Sequence, residues 1–205
     1  MRGPVTIAVT GPFASGKSTL VRLLGDLPNT ETASADETVH HLLKNDRRAI
    51  SRVVERFGEV VKGADGIDRK ALGREVFGDA GALRDLEEIL HPLVREETDR
   101  RIEASEAEIF VAEIPLLFET DRGKDFDYTV AVTVPEERRR TWSGERGFDD
   151  AALEAIESRQ LTGEEKAKRA DLVVQNDGDL DRLREQAEGI GRKVLGERGS
   201  HGHLR

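Results

Sequence analysis

The chain contains no cysteine, which excludes disulfides, thiolate metal sites and cysteine nucleophiles and is compatible with a reducing compartment. It also lacks any apolar run long enough to span a membrane. The short apolar stretch in MRGPVTIAVTG runs straight into a glycine-rich turn, so it reads as a first strand and not as a signal peptide. Positive charge is in deficit. The 32 Lys and Arg against 41 Asp and Glu leave a net charge of −9, which argues against generalised attraction to nucleic acid or to an anionic membrane. A basic pocket for a polyanionic small molecule is still compatible with that balance. No internal repeat is present, and 205 residues allow one well-buried α/β core with appended pieces, not two large independent domains. The expectation is a cytoplasmic enzyme with a small-molecule substrate.

What is present starts at residue 11. GPFASGKS, residues 11–18, follows the run PVTIAVT and precedes STLVRLLGDL, which reads as a helix. This is the strand, glycine-rich turn and helix of a P-loop that holds a nucleoside triphosphate. Gly11 and Gly16 let backbone N–H groups turn inward around phosphate oxygens, and a helix starting near Lys17 aims its positive end at the same anion. Lys17 adds a mobile charge for the β and γ phosphates, and Ser18, with Thr19 beside it, offers a hydroxyl to Mg²⁺.

Five β-branched runs stand out as strands, at residues 5–10, 30–35 (the weakest), 109–114, 128–134 and 171–176. Helical stretches separate most of them, so the expected fold is α/β, a doubly wound five-stranded parallel sheet with ligands at the carboxyl ends of its strands. The core then comprises residues 1–36, 106–135 and 169–195 of a single domain. Residues 37–105 carry helical periodicity, as in Val53, Val54, Phe57 and Leu83, Leu86, Leu90, and form a helical insertion with turns at Gly63 to Gly66 and a break at His91-Pro92. Residues 136–168 read as a polar helical hairpin turning at Gly144 to Gly147, placed to fold over a nucleotide as a lid. The Gly-rich end, 196–205, reads as a loose tail that includes His201 and His203.

Several side chains have both a structural and a chemical reading. Asp36 is equally a helix N-cap and, at the carboxyl end of a strand expected beside that of the P-loop, a base for an attacking hydroxyl. Glu113 ends the third strand, where an acid supports Mg²⁺, or it caps a turn. Arg138 to Arg140 read as a solvated helix face offset by Glu136 and Glu137. Arg146 differs, because at the hairpin turn its guanidinium can swing onto a phosphoryl group. Trp142 reads first as packing and second as a stacking surface, while His40 and His41, adjacent on a helix, point to different faces.

The phrases GPFASGKST, SADETVHHLL, VVERFGEVV, ADGIDRKALGREVF, LEEILHPLVREE, EIPLLFE and KRADLVVQNDGDL, in that order over about residues 5–195, resemble those of the dephospho-coenzyme A kinase family. The resemblance implies ATP-dependent phosphorylation of the ribose 3′-hydroxyl of dephospho-coenzyme A, with ATP and Mg²⁺ required. It implies that Ala14, Ser15, Gly16, Lys17, Ser18 and Thr19 hold the ATP phosphates and that Asp36 is the general base. The insertion then binds the acceptor, with His91 and Arg95 in its HPLVR phrase, Arg146 is a lid arginine, and Asn176 approaches the adenine. Three positions depart from the family pattern. Ser34 replaces the first acid of Asp-Ala-Asp, Glu113 stands where aspartate is common, its effect on Mg²⁺ exerted through water, and Trp142 stands near a usual lid arginine. Rival readings are a kinase of a nucleoside, nucleotide or shikimate-like acceptor, a nucleotide-switched binding protein, and a non-catalytic homologue. The insertion phrases oppose the first, the absence of Asn-Lys-x-Asp the second, and the intact Gly16, Lys17, Ser18 and Asp36 the third.

Overall fold

In the computed structural model, which describes residues 3–200, the chain runs β1 (Val5–Thr10), α1 (Lys17–Gly25), β2 (Thr30–Ser34), α2 (Ala35–Asn45), α3 (Arg47–Phe57), β3 (Lys62–Gly63), β4 (Gly66–Ile67), α4 (Arg69–Val76), α5 (Ala80–Ala104), β5 (Ile109–Glu113), β6 (Tyr128–Thr133), α6 (Glu136–Glu145), α7 (Asp150–Glu157), α8 (Gly163–Arg169), β7 (Leu172–Gln175) and α9 (Leu180–Ser200). It divides into two compact units, Met1–Ala33 with Ser105–Arg205, and Ser34–Ala104.

The first unit is built on a five-stranded sheet of order β2-β5-β1-β6-β7. β1 runs parallel to β5 and β6, and β6 parallel to β7. Alternate side chains of the central strands, Val5, Ile7, Val9, Ile109, Val111, Val130 and Val132, meet Leu20 and Leu24 of α1 and Leu183, Ile190 and Val194 of α9. Two copies of one arrangement hold the register at the amino ends of the strands. Asp127 Oδ2 accepts from both the backbone N–H and the hydroxyl of Thr6, each at 2.8 Å, while the Asp127 N–H returns a bond to Thr6 Oγ1. Asp171 and Thr129 repeat this between β6 and β7. A slip by one residue would break all of these bonds at once.

β2 is not the neighbour of β1 that the sequence suggested, since β5 lies between them. The reason is polarity. β5 is buried along its whole length, which suits an interior strand, whereas TETAS is mostly part-exposed and suits an edge.

The second unit has its own core, in which Leu42 and Leu43 of α2, Ala49 and Val53 of α3, Leu72 of α4, and Leu90, Leu93 and Val94 of α5 pack together. Asp46 and Asp68 cap α3 and α4, each carboxylate accepting two backbone N–H groups. The expected turn at Gly63 to Gly66 is a two-stranded ribbon of β3 and β4. Gly66 has φ +97°, and a Cβ there would lie 2.5 Å from the Leu43 carbonyl oxygen. The expected break at His91-Pro92 is absent, and α5 continues through Pro92. Proline removes one backbone bond from the helix, but buried Leu90, Leu93 and Val94 on either side hold both halves to the same core.

Two further expectations change. Residues 136–168 form three helices instead of a hairpin, the capping box of Thr162 and Glu165 starting the third within that stretch. At the end of the chain, α9 extends through residues 196–200, where a loose tail is expected. His201 and His203 lie outside the described residues.

Candidate functional site

β1 ends at Thr10, and the next turn of helix starts at Lys17. The backbone between them takes conformations that require small residues. Gly16 sits at φ +90°, and Gly11 at φ +153° has the Val132 carbonyl oxygen 2.6 Å from where a Cβ would stand. A Cβ on Gly16 would collide with Asn176 Nδ2. Ala14 also takes a positive φ of 56°. Gly16 is the N-cap of α1 and offers no side chain to the first N–H groups, and no acid occupies the first turn. No side chain caps those donors, and together with the dipole end they suit an anion.

The side chains complete the turn. Lys17, buried although charged, donates from Nζ to the Pro12 carbonyl at 2.9 Å. The Ser18 hydroxyl donates to Glu113 Oε1 at 2.9 Å, since β5 lies next to β1 and Glu113 pairs with Val9 in register. Asn176, the residue after β7, donates from Nδ2 to the Ser15 carbonyl at 2.9 Å. The loop beyond the last strand is thereby fastened to the phosphate turn. Ser18 and Glu113 supply hard oxygen atoms, the chemistry that suits Mg²⁺. No cluster of three or more His, Cys, Asp or Glu that could hold a metal occurs among the described residues. A magnesium ion would therefore take its remaining positions from substrate phosphates and water, as that ion ordinarily does.

Beside the turn opens a cavity of about 300 Å³, lined by Gly16, Thr19, Trp142, Arg146, Asn176 and Leu183 among others. α6 forms one wall. Arg138 donates to the Gly178 carbonyl at 2.6 Å and lies 5.6 Å from the centre of the Trp142 ring, a cation–π stack. At the far end of α6, Phe148 meets Phe13 of the phosphate turn edge-on, with ring centres 4.8 Å apart. The arginine triplet is a solvated face only at Arg140, which is exposed, while Glu136 offsets Arg139 and Arg140 as expected. Arg139 is buried and paired with Glu136 and Glu157, and Arg140 pairs with Glu136 and Asp150. The acids come from α7 as well as α6, which periodicity within one helix does not reveal.

The structure gathers Gly11, Ser15, Gly16, Lys17, Ser18, Thr19, Glu113, Arg146 and Asn176 around one turn and its adjoining cavity. Asp36, His91 and Arg95 belong to the other unit. Asp36 is exposed in the first turn of α2, and Ser34 is the N-cap, so the cap reading of Asp36 does not hold. His91 and Arg95 are both exposed and lie four residues apart on α5, hence on one face. His40 pairs with Arg69 and His41 with Asn45.

Sequence reasoning passed over Lys166. In EEKAKR it reads as one more surface lysine, yet it is fully buried at the carboxyl ends of β1 and β5. Its Nζ donates to the Pro115 carbonyl at 2.5 Å, to Glu119 Oε1 at 2.8 Å and to Thr10 Oγ1 at 3.5 Å. Burial pulls its pKa below the usual lysine value, and Glu119 opposes that shift. The one available signal was the capping box at Thr162, which fixes where the helix begins and so which of its lysines turns inward.

A parallel α/β sheet whose middle strand launches such a turn, with an acid on the next strand against the first hydroxyl of the helix, defines a P-loop kinase. The family model of dephospho-CoA kinase matches residues 5–182. A dephospho-CoA kinase of Symbiobacterium thermophilum is 38% identical over 198 residues, 94% of this chain and 82% of that relative. Among solved structures, a Thermus thermophilus protein superposes with a TM-score of 0.78 at 32% identity, covering 94% of this chain and 98% of the other. A dephospho-CoA kinase from Campylobacter jejuni gives 0.64 at 25%, covering 92% and 96%. The chain belongs to the dephospho-CoA kinase family.

Proposed function

We propose that this protein transfers the γ-phosphoryl group of ATP to the ribose 3′-hydroxyl of dephospho-coenzyme A, releasing coenzyme A and ADP. The observation that carries the reading is family membership across residues 5–182, on a chain whose phosphate turn is complete. In the reaction, the 3′-oxygen forms a bond to the γ-phosphorus as the bond from that phosphorus to the β,γ-bridging oxygen breaks. The hydroxyl proton passes to the Asp36 carboxylate. Lys17 and the first N–H groups of α1 meet charge on the β and γ phosphates, and Arg146 meets it on the transferring group. Ser18 would hold Mg²⁺, with Glu113 acting through water. That ion would supply positive charge to offset the phosphates.

Residues 37–105 are read as the acceptor-binding part, with His91 and Arg95 exposed on one face of α5 as its polar contacts. The cavity beside Asn176 is read as the place of the ATP base, and α6 with α7, the first part of residues 136–168, as the lid. Among the described residues no helix is long and apolar enough to cross a membrane; the protein is read as a cytoplasmic enzyme from its family membership. The test is ADP release, coupled to a spectroscopic readout, with ATP, Mg²⁺ and a panel of dephospho-coenzyme A, nucleosides, nucleotides and shikimate. Turnover with dephospho-coenzyme A alone is expected, and preference for another acceptor would overturn the reading.

A further inference from the structure

A lysine with no exposed surface requires an explanation beyond stability, because an apolar side chain of similar volume commonly replaces a buried ion pair without loss. What an apolar side chain cannot do is hold a carbonyl, a carboxylate and a hydroxyl at fixed positions around one point. Lys166 does this with all three of its donors. Its partners are not arbitrary. Thr10 is the last residue of β1, directly before Gly11, and Pro115 follows Glu113 by two residues. The Thr10 hydroxyl also donates to the Pro115 carbonyl at 3.1 Å, and the Ile114 N–H donates to the Val9 carbonyl. The ammonium therefore closes the junction between the strand that launches the phosphate turn and the strand that carries Glu113. Glu119 Oε1 accepts in addition from the Leu161 N–H at 2.8 Å, so the chain entering α8 is held to the same point.

We propose that Lys166 is a positioning residue for phosphoryl transfer. It clamps the carboxyl ends of β1 and β5 so that the Glu113 carboxylate stays against the Ser18 hydroxyl, the pair that would receive the metal–nucleotide complex. This inference rests on the reading of the turn as an ATP site and is independent of the acceptor. Removing the clamp leaves the backbone donors of the turn in place, so ATP alone still binds. The gain in affinity that Mg²⁺ brings to ATP is what depends on the Ser18–Glu113 geometry.

The test compares calorimetric affinities for ATP with and without Mg²⁺, the Mg²⁺ dependence of kcat, and thermal unfolding. The principal variant combines Lys166→Met with Glu119→Gln, which removes both charges and leaves no orphan carboxylate. Expected are a cooperative melt, an affinity for metal-free ATP within about threefold of the parent, a loss of about ten- to a hundredfold in the Mg²⁺-dependent gain, and a rise in the Mg²⁺ concentration that kcat needs, as for residues that orient metal ligands. A lower melting temperature with the Mg²⁺ gain intact would assign Lys166 to stability alone and overturn the proposal. Should the double variant fail to fold, Thr10→Val decides. It removes only the hydroxyl bonds to Lys166 and Pro115, and an unchanged Mg²⁺ gain in that variant is equally fatal. A parent protein that binds no ATP with or without Mg²⁺ would instead sink the ATP-site reading itself.

Discussion

A carboxylate in the first turn of a helix favours that helix through its dipole whether or not it does chemistry, and Asp36 is so placed in α2. The two roles separate by substitution, because asparagine is nearly isosteric but cannot accept the proton of an attacking hydroxyl. Asp36→Asn is expected to lower kcat by roughly a hundred- to ten-thousandfold while ATP affinity stays nearly unchanged. Steady-state kinetics beside calorimetry check this, and a kcat within about threefold of the parent would leave only the dipole role. A second residue-scale effect concerns the single tyrosine of the chain. The Tyr128 hydroxyl donates to Glu197 Oε2 at 2.5 Å, and that bond, with some desolvation and the neighbouring negative charges, pushes the phenol up to about 12. In the unfolded chain it titrates near 10, so the neutral form is favoured by folding. The contribution of this bond to stability is therefore complete below about pH 10 and is lost as pH rises toward 12. Tyr128→Phe should melt below the parent at neutral pH, and the gap should narrow through that window. A gap that does not change with pH would mean that the bond to Glu197 contributes nothing.

At the scale of elements, α5 carries a proline in its interior and remains one helix. Pro92 is exposed, so its cost lies in the missing backbone bond and ring crowding, roughly 3 kcal/mol relative to alanine in an exposed helix. Pro92→Ala is expected to raise the unfolding free energy by about 1–3 kcal/mol, read from denaturant melts of the whole chain. Loss of stability would show that Pro92 itself is needed for the packing of Leu90, Leu93 and Val94. The same helix shows what a sequence does and does not reveal. The phosphate turn was legible because its requirements are local: glycines where Cβ atoms would collide, then lysine and serine at the helix start. The central strands β1, β5 and β6 were legible because a strand buried on both faces is a continuous β-branched run. Strand order was not, since β5 comes between β1 and β2 from the far side of the insertion, and only its greater apolarity argued for the interior. Pro92 reads as a break because local preference omits the tertiary contacts that outweigh it. Arg138, Arg139 and Lys166 read as surface charge because their partners, Gly178, Glu157 and Glu119, lie on other elements.

At the scale of the whole molecule, the chain leaves the sheet after β2, builds an independent apolar core over Ser34–Ala104, and returns as β5. Within the sheet-bearing unit a second distinction appears between α6 with α7 and α8. α6 and α7 are tied to each other through Arg139 with Glu157 and Arg140 with Asp150. They meet the rest of the unit at Arg138 on Gly178 and Phe148 on Phe13. α8 is instead anchored from within by the buried Lys166. A lid that moves would therefore comprise residues 136–157 and stop short of α8. Hydrogen exchange should show amides of 136–157 gaining protection when an ATP analogue and dephospho-coenzyme A are both bound, while those of α8 and β1 are protected with or without ligand. Arg146, at the end of α6 and on the wall of the cavity, should contribute fully only in the closed state, so Arg146→Ala should lower kcat more than it weakens ATP binding. Ligand-dependent protection of α8 equal to that of 136–157 would show that Lys166 does not anchor it. If 136–157 ignored both ligands and Arg146→Ala kept a normal kcat, the α6–α7 pair would be a fixed wall of the nucleotide cavity with no part in closing it.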